Sequence, residues 1–261
     1  MRYKCIRYER GGAVATIYLS RSDVLNAMNR QMWLELERAL AEAQQDPEVK
    51  VLIFTGDGRA FSSGADLKES KQRSIDTYRT YLEKLQSISK TVLRFEKPTL
   101  AAINGYAIGS GAELALACDV RLAASEAQIG LPEAKVTSSV TGGAFRLIQD
   151  LIGPGKAKEL LFTGDYISGQ EAEKIGLVNK AVPLEDLIAE TQKMAHKIAA
   201  NAAISLKMIK RGLALAQGET SLEALMDYEI EACLACVSSK QRQQSLKDFE
   251  QRKTTSSHGT R

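Results

Sequence analysis

Short apolar runs alternate with stretches of helical spacing along most of this chain, and that alternation restricts its fold more than any other feature. Val14, Thr16 and Tyr18 alternate with Ala15, Ile17 and Leu19, the period that puts successive side chains on opposite faces of a strand. Gly11-Gly12 in front of them suit a hairpin with a preceding strand. From Met32 the apolar positions Met32, Trp33, Leu36, Ala39, Leu40 and Ala43 follow helical spacing, with Asn29 available as N-cap and Pro47 just past the end. Val51 to Thr55 reads as a buried strand. Ile75, Tyr78, Leu82, Leu85, Val92 and Phe95 then mark a second long helix that stops before Pro98. The pattern repeats with a strand over Thr99 to Ile103, a glycine-bounded turn over Gly105 to Gly109, a helix over Ser110 to Cys118 and a strand over Val120 to Ala124. Such alternation predicts a layered α/β core with parallel pairing, because parallel neighbours need the crossover that a helix supplies.

Strand signals stop after Pro183. Helical segments follow over Glu185 to Ala200, Ile204 to Ala216 and Leu222 to Cys236, then a last segment over Lys240 to Lys253, ahead of a polar tail from Thr254 to Arg261. The expected division is a core over residues 1–195 and a helical C-terminal region over 196–261. With 261 residues, 44% of them hydrophobic, the chain can bury a full core without staples.

Inventory excludes much chemistry. Thirty-five basic against 32 acidic residues leave a net charge of +3, too small and interspersed for a nucleic-acid footprint. The least charged stretch, Thr99 to Ala117, contains Asn104, Glu113 and three glycines, so it reads as buried strand, turn and helix rather than a membrane span. Cys5, Cys118, Cys233 and Cys236, with no apolar leader before them, set the expectation of a reducing compartment, the cytoplasm. The histidines are His196, in a helical pattern, and His258, in the tail, so neither a Ser-His-Asp nor a Cys-His site is expected. Cys233-x-x-Cys236 has no second ligand pair, so no metal is expected. The cluster Gly105-x-x-x-Gly109-Ser110-Gly111 lacks both the lysine of a phosphate loop and the order of a dinucleotide fingerprint.

What such glycines offer is close backbone approach at the start of a helix, where free N–H groups attract developing negative charge. A second turn of short residues, Phe61 to Leu67, follows the strand Val51 to Thr55, which predicts that both turns lie at one edge of one sheet and that two amides form an oxyanion hole. Glu113 stands in an otherwise apolar helical stretch; a carboxylate there either caps its own helix or serves chemistry. Glu133, after Gly130-Leu131-Pro132, reads equally as an exposed or helix N-terminal acid.

The motifs together resemble the enoyl-CoA hydratase/isomerase (crotonase) family over nearly the whole chain. The residues that carry the resemblance are Leu25-Asn26-Ala27-Met28, Ala60 to Lys68, Ala102 to Leu114, Cys118-Asp119 and Gly130-Leu131-Pro132-Glu133. Later segments, Ala157-Lys158-Glu159, Thr163-Gly164, Glu171-Ala172 and Gly176-Leu177-Val178, are also similar. The resemblance implies a crotonase-like spiral of repeated ββα units with a helical C-terminal region, assembled as a homotrimer or homohexamer. It implies reversible hydration of a trans-2-enoyl-CoA to a 3-hydroxyacyl-CoA, by a lyase with no cofactor, coenzyme A being part of the substrate. Carried over by position, the N–H groups of Ala65 and Ser110 bind the thioester oxygen, Glu113 takes a proton from water and Glu133 delivers one to the α-carbon. Leu25, Ala27, Ala65, Asp66, Leu67 and Lys68 border the coenzyme, and Phe249 and Arg252 reach the coenzyme of a neighbouring subunit. Two carboxyls around one water in an apolar cleft are expected to leave one protonated near neutral pH.

The alternatives are an enoyl-CoA isomerase or other acyl-CoA lyase of the same fold, or a non-catalytic acyl-CoA-binding member. The chain departs from the family at Ser110, in the middle of a frequent Gly-Gly-Gly turn, where the N–H is kept provided no positive φ is needed. It departs again at Ala134 to Ala144, where better-known hydratases carry a Pro-Gly-x-Gly-Gly-Thr run.

Overall fold

The computed structural model describes residues 3–70 and 75–218. Phe249, Arg252, His258, Cys233, Cys236 and the helical segments expected beyond residue 218 lie outside the described residues. The chain divides after His196 into two compact units.

The first unit is organised by two sheets. Strand β1 (Ile6–Gly11) pairs antiparallel with β2 (Val14–Leu19), the hairpin that Gly11-Gly12 predicts. Strands β3 (Val51–Gly56), β5 (Thr99–Ile103), β7 (Val120–Ala124) and β10 (Lys180–Val182) extend it in parallel, giving six strands in the order β1-β2-β3-β5-β7-β10. Leu52, Ile53, Phe54, Leu100, Ala101 and Ala102 are all buried, as expected of a parallel sheet covered on both faces.

The second sheet is made of β4 (Ala60–Ser62), β6 (Tyr106–Ile108), β8 (Gln128–Gly130) and β9 (Tyr166–Ser168), in the order β4-β6-β8-β9. It corrects two readings of the sequence: the turns over Gly105 to Gly109 and from Phe61 onward each contain a strand, and they leave this second sheet rather than the first. Each of its strands has three residues, too few for a period of two to establish itself. The chain thus passes from a strand of the large sheet to a strand of the small one and then to a helix, three times in succession. That is the spiral of ββα units.

Helix α1 (Arg30–Gln45) follows β2 and a short 3-10 turn, and the Asn29 side chain accepts from the Met32 N–H at 2.9 Å as its cap. Its buried stripe contains Glu35, whose carboxylate accepts from the N–H groups of Lys4, Cys5 and Ile6 at 2.7 to 3.2 Å. After β4 come α2 (Leu67–Ser70) and α3 (Ile75–Leu93); α3 packs on α1 where the rings of Trp33 and Tyr81 stand 5.2 Å apart. After β6 comes α4 (Ser110–Ala117), buried along nearly all its length. The buried Arg121 closes its C-terminal end, donating to Cys118 O at 2.6 Å and Leu177 O at 2.9 Å, where the helix dipole favours a cation. A 3-10 turn (Glu133–Val136) follows β8, then α5 (Ala144–Thr163), broken at Gly153-Pro154, and α6 (Gly169–Lys174). Helix α7 (Leu184–Ala199) carries the chain across the division, and α8 (Ala203–Ala216) belongs to the second unit. Among the described residues no helix is long and apolar enough to cross a membrane.

Candidate active site

Strands β4 and β6 pair in parallel, Ala60 with Tyr106 and Ser62 with Ala107, so both chains leave the small sheet at the same end. The two turns that follow are pressed together. Gly64 has φ +95, and a Cβ there would stand 2.7 Å from Ile108 O and 3.4 Å from Ser110 N. Only a residue without a side chain permits that approach. Gly111, the second residue of α4, fits equally closely against Ser62, whose carbonyl oxygen a Cβ would meet at 2.4 Å.

Between these turns lie the two expected donors. Met28 accepts from the Asp66 N–H at 3.0 Å and donates to Gly64 O at 2.8 Å, so it uses the neighbours of Ala65 and leaves the N–H of Ala65 on the opposite side. Ser110 opens α4, where the first N–H groups have no partner in the helix. Neither N–H donates to an acceptor among the described residues. The condition on Ser110 is met: among the described residues the non-glycine residues with positive φ are Leu25, Asn26 and Thr137, and the positive φ falls on Gly109 before it.

Both acids reach the start of α4. Glu113 is 2% exposed. It does not cap its own helix; one oxygen accepts from the Thr141 N–H and the other from the Thr141 hydroxyl, the latter at 2.8 Å. Glu133 begins the 3-10 turn after Pro132, and its Oε1 lies 3.0 Å from the place a Cβ on Gly109 would take. Its Oε2 is buried without a hydrogen-bond partner, so the reading of Glu133 as a plain exposed acid fails. Burial pushes the Glu133 carboxyl up to about 7; its own N–H opposes that and the charge of Glu113 adds to it. Burial also raises Glu113, against the N–H and hydroxyl of Thr141 and the hydroxyl of Ser110.

The residues expected at the coenzyme fall beside Ala65. Leu25 and Asn26 are left-handed, at φ 53 and φ 56, and the fully buried Asn26 holds the loop to the small sheet. Its amide donates to Asp57 O at 2.9 Å and Ala60 O at 2.8 Å, and its side-chain oxygen accepts from the Arg21 N–H at 2.8 Å. Arg21 donates to Ala27 O at 2.6 Å and pairs with Asp66 at 2.9 Å. Ser63 N donates to Leu25 O at 2.9 Å, and Lys68 N to Asp66 Oδ1 at 3.1 Å. Leu25, Ala27, Ala65, Asp66 and Lys68 are therefore brought together, with Leu67 opening α2 between the last two.

A cleft of about 590 Å³ opens between α3 and the segment before α5, lined by Arg79, Leu82, Glu83, Gln86, Thr141 and Phe145 among others. Sequence reasoning assigned no role to Thr141, the buried Ser62 or the side chain of Asn26. Ser62 donates to Asn26 O at 2.8 Å and accepts from Gly64 N at 3.1 Å, tying both loops. For Asn26 the signal was its place in the first quoted motif; for Thr141 there was none.

The arrangement suits one kind of chemistry. Two amides without acceptors among the described residues, one in the turn after β4 and one at the start of α4, can stabilise negative charge developing on an oxygen, and two carboxyls of unequal surroundings can move protons beside it.

The sequence profile described as enoyl-CoA hydratase/isomerase matches residues 9–258. A Syntrophomonas wolfei protein named crotonyl-CoA hydratase is 35% identical over 97% of this chain and 98% of its own length. A Clostridium acetobutylicum protein named short-chain-enoyl-CoA hydratase is 33% identical, covering 94% of each. A crystal structure of enoyl-CoA hydratase from Bacillus anthracis superposes with a TM-score of 0.92 at 33% identity, over 95% of this chain and 97% of that one.

Proposed function

The chain belongs to the enoyl-CoA hydratase/isomerase family, and we propose that it adds water reversibly across the double bond of a trans-2-enoyl-CoA to give a 3-hydroxyacyl-CoA. The observation that carries this reading is the pair of acids, Glu113 and Glu133, beside two amides without acceptors among the described residues. Glu113 takes a proton from water as its oxygen bonds to the β-carbon. The electron pair of the double bond moves onto the thioester oxygen, which the N–H groups of Ala65 and Ser110 hold as an enolate oxyanion. Glu133 then gives its proton to the α-carbon as the carbonyl re-forms. A carboxyl raised to about 7 keeps a proton to give near neutral pH, which supports that division of roles. The names of the relatives, crotonyl-CoA and short-chain-enoyl-CoA hydratase, favour hydration over double-bond migration.

The same reading makes coenzyme A part of the substrate, with no separate cofactor, bordered by Leu25, Ala27, Ala65, Asp66, Leu67 and Lys68 and reached by Phe249 and Arg252 of a neighbouring copy. It takes the enzyme as a cytoplasmic homotrimer or homohexamer. Phe145, Phe162 and Tyr166, 56%, 76% and 46% exposed, are apolar surface that such an assembly would cover. Native mass spectrometry tests the assembly. For the activity, purified protein mixed with crotonyl-CoA is expected to remove the absorbance of the conjugated thioester. A rate equal to that of a Glu113→Gln, Glu133→Gln double variant removes the hydratase assignment.

A further inference from the structure

Glu113 is deeply buried, yet it is not the acid left without partners. One residue, Thr141, donates to both of its oxygens, while Glu133 Oε2 has no donor. A carboxylate only accepts, so both donors of Thr141 fit the ionised form; protonation leaves the carboxyl a poorer acceptor and weakens both bonds. The grip is built into the backbone. Gly142, at φ +61, is packed so that a Cβ would stand 2.6 Å from Ser89 Oγ on α3 and 3.6 Å from Glu113 Cβ on α4, and Val140 on the other side of Thr141 is buried. Thr141 also lines the 590 Å³ cleft between α3 and the segment before α5. It lies in the segment Ala134 to Ala144, where this chain departs from the family's run.

The groups that face Glu113 from the elements around it are few. Helix α3 presents Ser89, α4 the Ser110 hydroxyl and the segment before α5 Thr141, all uncharged; the 3-10 turn presents Glu133, the charged group coupled to it among the described residues. Without Thr141 the two acids would differ little in their hydrogen bonding.

We propose that Thr141 is a positioning residue, whose N–H and hydroxyl hold the Glu113 carboxylate in one orientation and keep it the proton acceptor of the pair, leaving Glu133 as the donor. This rests on the hydratase reading. Its test is therefore built with one readout that needs no turnover. Thr141→Val keeps shape and N–H but removes the hydroxyl, and Thr141→Ser restores it. In protein carrying ¹³C-labelled glutamate, with Glu113→Gln to identify the signal, the valine variant is expected to titrate Glu113 about one pH unit higher, the size of one charge-assisted hydrogen bond. The acid limb of its kcat/KM profile with crotonyl-CoA is expected to move up by the same amount, kcat near neutral pH to fall about tenfold, and KM to stay close to the parent value. Thr141→Ser is expected to restore all three. A Glu113 titration unchanged by valine, or not restored by serine, overturns the role of Thr141 while leaving the hydratase reading intact. Absence of hydration by the parent protein overturns the hydratase reading instead, and the titration still decides the contact. If melting shows that valine disturbs the fold, Thr141→Ala serves in the same comparison.

Discussion

Gly109 and Glu133 pack so closely that a Cβ on Gly109 would stand 3.0 Å from Glu133 Oε1, and the carboxylate would have to give way by a few tenths of an ångström. The glycine has φ 53 and ψ −122, a conformation that side chains resist, and it sits immediately before Ser110. One position thus sets both the direction of an amide and the place of an acid. Gly109→Ala is expected to cost about 1–3 kcal/mol of stability from backbone strain and to lower kcat at least a hundredfold, on the order of losing one oxyanion donor. Denaturation and steady-state kinetics on the same preparation check it, and near-parent kcat would show that the amide need not be held there.

Single replacement of either acid by glutamine keeps shape and removes proton transfer. Glu113→Gln and Glu133→Gln are each expected to lower kcat for crotonyl-CoA by about 10²- to 10⁴-fold, with the double variant little worse than the more damaged single. Strictly additive losses in the double variant would mean that the acids contribute independently rather than as a unit.

The acidity of Glu133 predicts a pH profile. Hydration needs this group protonated, so kcat/KM is expected to fall above about pH 7 as it ionises. Stability has a matching sign. The folded-state pKa is raised above that of the unfolded chain, so the contribution of Glu133 is fully present below the unfolded value and is lost as pH rises through about 7. Glu133→Gln, which cannot ionise, is therefore expected to raise the melting temperature relative to the parent more at pH 8 than at pH 5. Equal shifts at both pH values would place the ionisation elsewhere.

Asn26 is buried and left-handed, and its side chain makes three hydrogen bonds to backbone groups of the Arg21, Asp57 and Ala60 neighbourhoods. Asn26→Ala removes them and leaves the part-buried Arg21 N–H and Asp57 carbonyl without this partner, while Ala60 O keeps Asn104, with an expected loss of about 2–4 kcal/mol. Urea unfolding measures it. Weaker acyl-CoA binding is expected alongside, because the loop carrying Leu25 and Ala27 is held to β4 through this amide.

What the sequence determined by itself was local. The apolar stripe of α1 and its Asn29 cap, the strands β3, β5 and β7, and the anomaly of a carboxylate inside the apolar α4 all rest on neighbours within one or two turns, where spacing and capping act directly. The motifs, read together, carried the family. The small sheet was not legible, since strands of three residues draw their stability from partners far along the chain. Nor was the contact of Gly64 with the Ser110 turn, or the hold of Thr141 on Glu113 across 28 positions. Those were decided by tertiary packing alone, because each depends on where a parallel ladder or a glycine lets two distant backbones meet, and no local propensity records that.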